Sequence, residues 1–238
     1  MSHQDFMTHQ PTTAKPMWHI CNEQCVTLFL PKPVTLAQQQ LCWGLAEKIP
    51  QLDDIKACVK ETVVGMNTLS VYTEDLTVSQ LLELKNYLDQ ISQDTQFIKH
   101  IEGRHIEIPV RYGGDYGPDL LDLAKQKNMT VRELVERHTA PIYTVYFIGF
   151  QPGFPYLGGL DTALYSSRHA TPRLQVPAGS VGIGGEQTGI YPFASPGGWQ
   201  LLGHTDLPLF NLQNDQPTLL QAGDTLSFIA IEVIEGKK

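Results

Sequence analysis

The residues best suited to chemistry lie on loops in the second half of this sequence: Phe150-Gln151-Pro152-Gly153-Phe154, Pro172-Arg173, Ser180, Gln187, Tyr191 and Ser195-Pro196-Gly197-Gly198-Trp199. Proline stiffens such loops and glycine lets backbone N–H groups approach a ligand, while aromatic side chains supply an apolar wall. Arg173 carries a planar fork suited to a carboxylate or phosphate, and Ser180, Gln187 and Tyr191 can hydrogen-bond a carbonyl or a ring amide. Together with Phe150, Phe154, Ser195 and Trp199 they read as a pocket for an anion or an amide. Each also has a plainer reading. Phe150, Phe154 and Trp199 suit a barrel core or a domain interface, the glycines suit turns, and an isolated Arg173 suits a solvated surface. Clustering favours the site. His138 closes a helix whose dipole it can complement, and His204 suits a satisfied barrel histidine. Neither reads as a catalyst.

Spacing sets other chemistries aside. No Gly-x-x-x-x-Gly-Lys-Ser/Thr phosphate loop occurs, and the glycine run Gly182–Gln187 puts Gln where a dinucleotide fingerprint needs its third glycine. Ser180 and Ser195 have Ala178 and Phe193 two positions earlier, so neither forms a nucleophile elbow. Cys21, Cys25, Cys42 and Cys58 lack the paired spacing of a zinc site, and reduced, packed thiols are expected.

The elements that must position the site change character along the chain. Trp18 to Leu30 reads as a strand. Thr35 can cap a helix carrying Ala37, Leu41, Leu45 and Ile49, and Ile55–Val64 and Asn67–Tyr72 read as two strands around Gly65. Thr77 precedes a helix with Leu81, Leu84, Leu88 and Ile91 on one face, and Ile106, Ile108 and Val110 alternate in a strand that can pair with either half. The expected order is βαββαβ, a ferredoxin-like α+β sandwich. A glycine turn, Tyr112–Gly117, leads through Pro118 to a helix over Asp119–Lys127. Thr130 and Glu133 form a capping-box pattern for another helix ending near His138. From Phe147 to Gly203, 57 residues hold 12 of the 20 glycines and 6 of the 16 prolines, which excludes long helices and predicts short strands closing into a compact β-barrel. Asp224–Val233 reads as the last strand. The expected organisation is a disordered tail over 1–16, a small α+β domain over 17–103 and a mainly β barrel over 104–238.

Composition bounds the partners. A net charge of -8 argues against nucleic acid or an anionic membrane as partner, since both need a basic stripe. Met1 to Pro16 lacks the basic head and apolar core of a signal peptide, and no stretch reaches the roughly 20 apolar residues of a membrane span. A soluble, cytoplasmic protein is expected.

The run His105–Leu120, His138-Thr139, Tyr146–Leu157, Pro172-Arg173, Val176–Gly182, Gln187–Pro192 and Ser195–Gln200 resembles, in order, the KipI and allophanate-hydrolase-subunit-1 family. The resemblance implies a cyclophilin-like barrel preceded by a small α+β domain. It further implies one component of an ATP-dependent 5-oxoprolinase, which phosphorylates 5-oxoproline for ring opening to glutamate. The partners it implies are a larger, carboxyltransferase-like C subunit, with which the phosphorylation is shared, plus a separate A subunit. ATP and Mg2+ are then expected to be bound jointly with the larger partner, which agrees with the lack of a phosphate loop. Two other roles follow from the same family: inhibition of a sensor histidine kinase, and a subunit of an allophanate/urea-type amidolyase or carboxyltransferase. The sequence departs from the family pattern at Arg111, Glu186, His204 and Asp206, which stand where cysteine, a small residue, arginine and proline are usual.

Overall fold

A computed structural model of the chain describes residues 16–236. The tail expected over 1–16 lies, but for Pro16, outside them. Two units are present, Met1–Ile98 and Lys99–Lys238.

The first unit has strands β1 (Met17–Asn22), β2 (Cys25–Phe29), β3 (Val59–Gly65) and β4 (Thr68–Thr73), with helices α1 (Leu36–Lys48) and α2 (Val78–Ile91). Thr35 and Thr77 each accept the N–H of the residue three positions on, Gln38 and Gln80, whose side chains reach back to the cap backbone, so both helices start on capping boxes. Cys42 and Leu45 of α1 and Leu81, Leu84 and Leu88 of α2 pack with Val26, Leu28, Leu69 and Val71 of the sheet into one core. The Trp18 indole N–H donates to Ser92 Oγ at 2.7 Å, tying β1 to the end of α2.

The order here is ββαββα, which corrects the expected βαββαβ. Trp18–Leu30 is two strands because Asn22 Oδ1 accepts the Gln24 N–H at 2.8 Å and closes a turn, a habit of short amide side chains. Residues 55–58, expected to begin a strand, form turns before β3. The sheet runs β1-β2-β4-β3, all antiparallel. The edge beside β2 is taken by β1. The strand with Ile106, Ile108 and Val110 belongs to the second unit.

That strand is β5 (His105–Gly113). It is followed by α3 (Leu120–Gln126), α4 (Val131–Thr139), β6 (Tyr143–Ile148), β7 (Pro155–Gly158), β8 (Arg173–Val176), β9 (Ser180–Gly184), β10 (Gln187–Ile190), β11 (Ser195–Gly197), β12 (Gln200–His204) and β13 (Thr225–Ile234). Seven strands close a barrel in the order β10-β7-β6-β13-β5-β12-β9, and β8 pairs with β11 as a separate ribbon. Closure leaves no unpaired sheet edge in the barrel. β5 lies parallel to β13 and antiparallel to β12. Buried Asp224 anchors its start, accepting the Arg104 N–H at 2.9 Å and its guanidinium at 2.6 Å. Among the described residues no helix is long and apolar enough to cross a membrane.

Val110, Val145, Val181, Ile183, Ile190 and Phe228 fill the core, against Leu134 and Val135 of α4. His138 sits fully buried among them, stacked on Phe228 at 4.6 Å. Thr188 Oγ1 donates to the Gly182 carbonyl at 3.0 Å, so it accepts from His138 Nε2 at 2.8 Å; His138 Nδ1 then accepts from the Tyr112 hydroxyl at 2.8 Å. The tautomer is thereby fixed. Burial lowers the His138 pKa from 6.5 to about 3, so the residue is neutral and does not complement the α4 dipole as a cation.

Candidate functional site: an aromatic ledge on the outer face of the barrel

Alternation along β9 and β10 sorts their side chains. Val181, Ile183 and Ile190 join the interior core, and Thr188 bonds buried His138. Ser180, Gly182, Gly184, Gln187 and Gly189 therefore share the outer face, on which Tyr191 follows. Trp199 lies flat on this face. A Cβ at Gly182 would crowd the Gln200 carbonyl at 2.9 Å, one at Gly184 would overlap the indole nitrogen, and one at Gly189 would stand 3.1 Å from the indole ring. Gly184 and Gly189 leave the platform on which the indole rests.

Around Trp199 gather Phe154, Tyr191, Val176 and Leu201, an outer cluster separate from the interior core. Phe154 meets Trp199 edge-on with centroids 5.4 Å apart and Tyr191 at 5.3 Å, near the T-shaped arrangement aromatic pairs favour. Phe154 and Trp199 thus do pack as core residues, but of this outer cluster. Phe150 differs: it is 62% exposed, edge-on to Phe154 at 5.5 Å and Tyr191 at 6.4 Å. Its φ of 64° is strained for a bulky residue, and a tight loop holds it there through Gln151 N–H to Gly149 O (2.7 Å) and Phe154 N–H to Gln151 O (3.0 Å).

The β8–β11 ribbon sets Arg173 opposite Gly197 and Val176 opposite Ser195, at the rim of the ledge. The loop before β8 is stapled there too, by His169 N–H to Gly198 O at 2.7 Å and the Gln200 side chain to Ser167 O at 3.0 Å. Arg168 consequently lies 5.9 Å from the Trp199 ring, within cation–π range. Burial raises the Tyr191 pKa, and the Trp199 backbone N–H together with the charges of Arg168 and Arg173 acts the other way. Both guanidinium groups therefore bear on that hydroxyl. Asp119 is the counter-charge of Arg173: its Oδ1 accepts from Arg173 Nη2 at 2.6 Å, and its Oδ2 lies 3.3 Å from His169 Nε2.

Of the eight residues singled out by sequence, Phe150, Phe154, Arg173, Tyr191, Ser195 and Trp199 come together at this ledge. Ser180 is buried on the same face, its carbonyl accepting the Tyr191 N–H at 2.9 Å. Gln187 shares the face at the hairpin end, roughly 13 Å along the strand from Tyr191 at ~3.3 Å per residue. Arg168, His169 and Asp119 were not singled out. The first two stand in Ser167-Arg168-His169-Ala170, close before Pro172-Arg173, a cationic spacing open to notice; Asp119 read only as a helix start. Three of the departures from the family pattern also lie together. Arg111 pairs with Asp206 and lies over the Tyr116 ring at 5.5 Å, and Asp206 lies 3.5 Å from His204 Nδ1.

Two clefts elsewhere miss these residues. One of about 260 Å³ is lined by Gly113, Gly114, Asp115, Gly117 and Ile234, and one of about 370 Å³ in the first unit by Asp54, Cys58, Glu83 and Tyr87.

The family model described as carboxyltransferase domain, subdomain C and D, matches residues 16–220. This chain belongs to that family. It is 50% identical over 214 residues to the B subunit of 5-oxoprolinase from Haemophilus influenzae strain Rd, covering 90% of this chain and 97% of that protein. It is 45% identical over 211 residues to the protein of the same name from Escherichia coli O157:H7, covering 89% and 94%. Among solved structures it is similar to Kluyveromyces lactis urea carboxylase, with a TM-score of 0.71 and 16% identity over 93% of this chain, a likeness of fold. The chain spans 22% of that much longer polypeptide.

Proposed function

We propose that this chain is the B subunit of a 5-oxoprolinase and that the aromatic ledge forms one side of a substrate cavity completed by another polypeptide. The observation that carries the reading is the 50% identity to the Haemophilus influenzae protein, across 97% of its length. The ledge supports it with the kind of surface the reaction needs. A lactam is a poor electrophile because resonance stabilises its amide, and phosphorylating its oxygen turns that oxygen into a leaving group. Such a step needs positioning and charge neutralisation more than a reactive side chain.

ATP with Mg2+ supplies the phosphoryl group in this reading. Arg173 fits an anionic oxygen, since its Nη1 is buried with no acceptor among the described residues. Arg168 and His169 would stand beside it, and Phe150 and Tyr191 would flank the ring of 5-oxoproline. Among the described residues no three His, Cys, Asp or Glu gather to hold a metal ion. Magnesium carried on phosphate oxygens and water needs few protein ligands, and the reading has it shared with the larger C subunit. The protein acts in the cytoplasm, is inactive alone, and hands activated substrate to the separate A subunit.

The test is an ATPase assay after co-purification with the C subunit. The complex is expected to hydrolyse ATP only when 5-oxoproline is present, and the chain alone is not. A folded complex without 5-oxoproline-dependent turnover contradicts the proposal.

A further inference from the structure

Asp119 follows the Gly113–Pro118 turn and precedes α3, the place of a helix N-cap, where an aspartate ordinarily accepts an N–H of the first turn. Here its side chain makes no capping bond. The carboxylate is directed across the fold: Oδ1 to Arg173 Nη2 at 2.6 Å and Oδ2 to the Leu201 N–H at 2.7 Å, while its own N–H donates to Leu201 O at 3.1 Å. Asp119 thus grips the strand leading from Trp199 and the arginine opposite Gly197 at once.

The grip on Arg173 is single-ended. Carboxylates commonly take arginine by both prongs of the fork, but the second oxygen is committed to Leu201, and Arg173 Nη1 is left buried without an acceptor among the described residues. His169 Nε2, at 3.3 Å from Oδ2, also lacks an aligned partner. A buried donor without an acceptor is costly, and the free Arg173 nitrogen with an imidazole beside it makes a place suited to an oxyanion.

We infer that Asp119 is a positioning residue that holds Arg173 by one prong so that the other receives an oxyanion of the substrate or nucleotide at the ledge. The inference rests on the functional reading above and deepens it. The oxyanion is the carboxylate of 5-oxoproline or a phosphate, which share the same recognition by a guanidinium.

The experiment uses the variants Asp119→Asn and Arg173→Lys in complex with the C subunit, the first removing the charge that holds the fork and the second the fork itself. Both are expected to raise one KM by about tenfold or more, the scale of a charge-assisted hydrogen bond, with kcat changed much less. If the carboxylate is the ligand, the KM for 5-oxoproline rises while that for 2-pyrrolidinone, which lacks it, stays put. If a phosphate is the ligand, the KM for ATP rises instead. A fall in kcat with every KM unchanged, or a loss of thermal stability alone, overturns the inference. Calorimetric titration of the full chain with 5-oxoproline and with inorganic phosphate separates it from the functional reading. Binding by the wild type that Asp119→Asn weakens supports the positioning role even if the complex fails to turn over 5-oxoproline. Equal binding by both proteins, or binding of neither anion by the wild type, overturns it.

Discussion

Phe150 shows how strain and exposure locate a working residue. Its ring contributes little to the core, so Phe150→Ala is expected to leave the melting temperature nearly unchanged, and Phe150→Gly, which relieves the positive φ, to hold or raise it. Both should raise the KM for 5-oxoproline in the complex; a large loss of stability with an unchanged KM would assign Phe150 to packing. His138 is the opposite case, polar but wholly structural. Its folded pKa of about 3 lies below the unfolded value near 6.5, so the unfolded chain takes up the proton first as pH falls. Stability from this residue is complete above pH 6.5 and declines below it, by about 2 kcal/mol at pH 5. Urea unfolding between pH 7 and 5 should show that slope, and a folded His138→Gln variant should lack it.

At the scale of elements, the strands β9 and β10 explain the glycines that composition alone could only count. Gly184 and Gly189 keep the outer face bare for one indole. Gly184→Ala is expected to cost roughly 1–3 kcal/mol by overpacking and to shift tryptophan emission, whereas Trp199→Ala removes the buried ring itself at roughly 3–5 kcal/mol. Thermal melts of the two variants check the order, and an unaltered Gly184→Ala protein would mean that Trp199 does not lie where described. Local signals were legible at the helix starts: the capping box of Thr130 with Glu133 starts α4 as read from sequence, and Thr35 and Thr77 start α1 and α2. The hairpin at Asn22 was not legible, because apolar residues on both sides of the short polar run Asn22-Glu23-Gln24 also fit one continuous strand.

For the molecule as a whole, texture revealed the barrel but could not reveal pairing. The glycine- and proline-rich stretch Phe147–Gly203 predicts short strands, and the structure has them. Strand β5 is decided by partners more than a hundred residues away, Thr225 opposite His105 and Phe228 opposite Ile108, and no local pattern carries that information. The site was half legible for the same reason. Aromatic and glycine loops advertise themselves by composition, while Asp119 joins Arg173 only through the fold.

Whether substrate meets this chain on the outer face of the barrel, around Trp199, is tested most directly by hydrogen–deuterium exchange. The measurement compares the complex with the C subunit in the presence and absence of 5-oxoproline and ATP. Protection is expected in the segments 149–154, 167–173 and 191–201. Protection confined to the cleft lined by Gly113, Gly114 and Ile234, or absent from this chain, would contradict it.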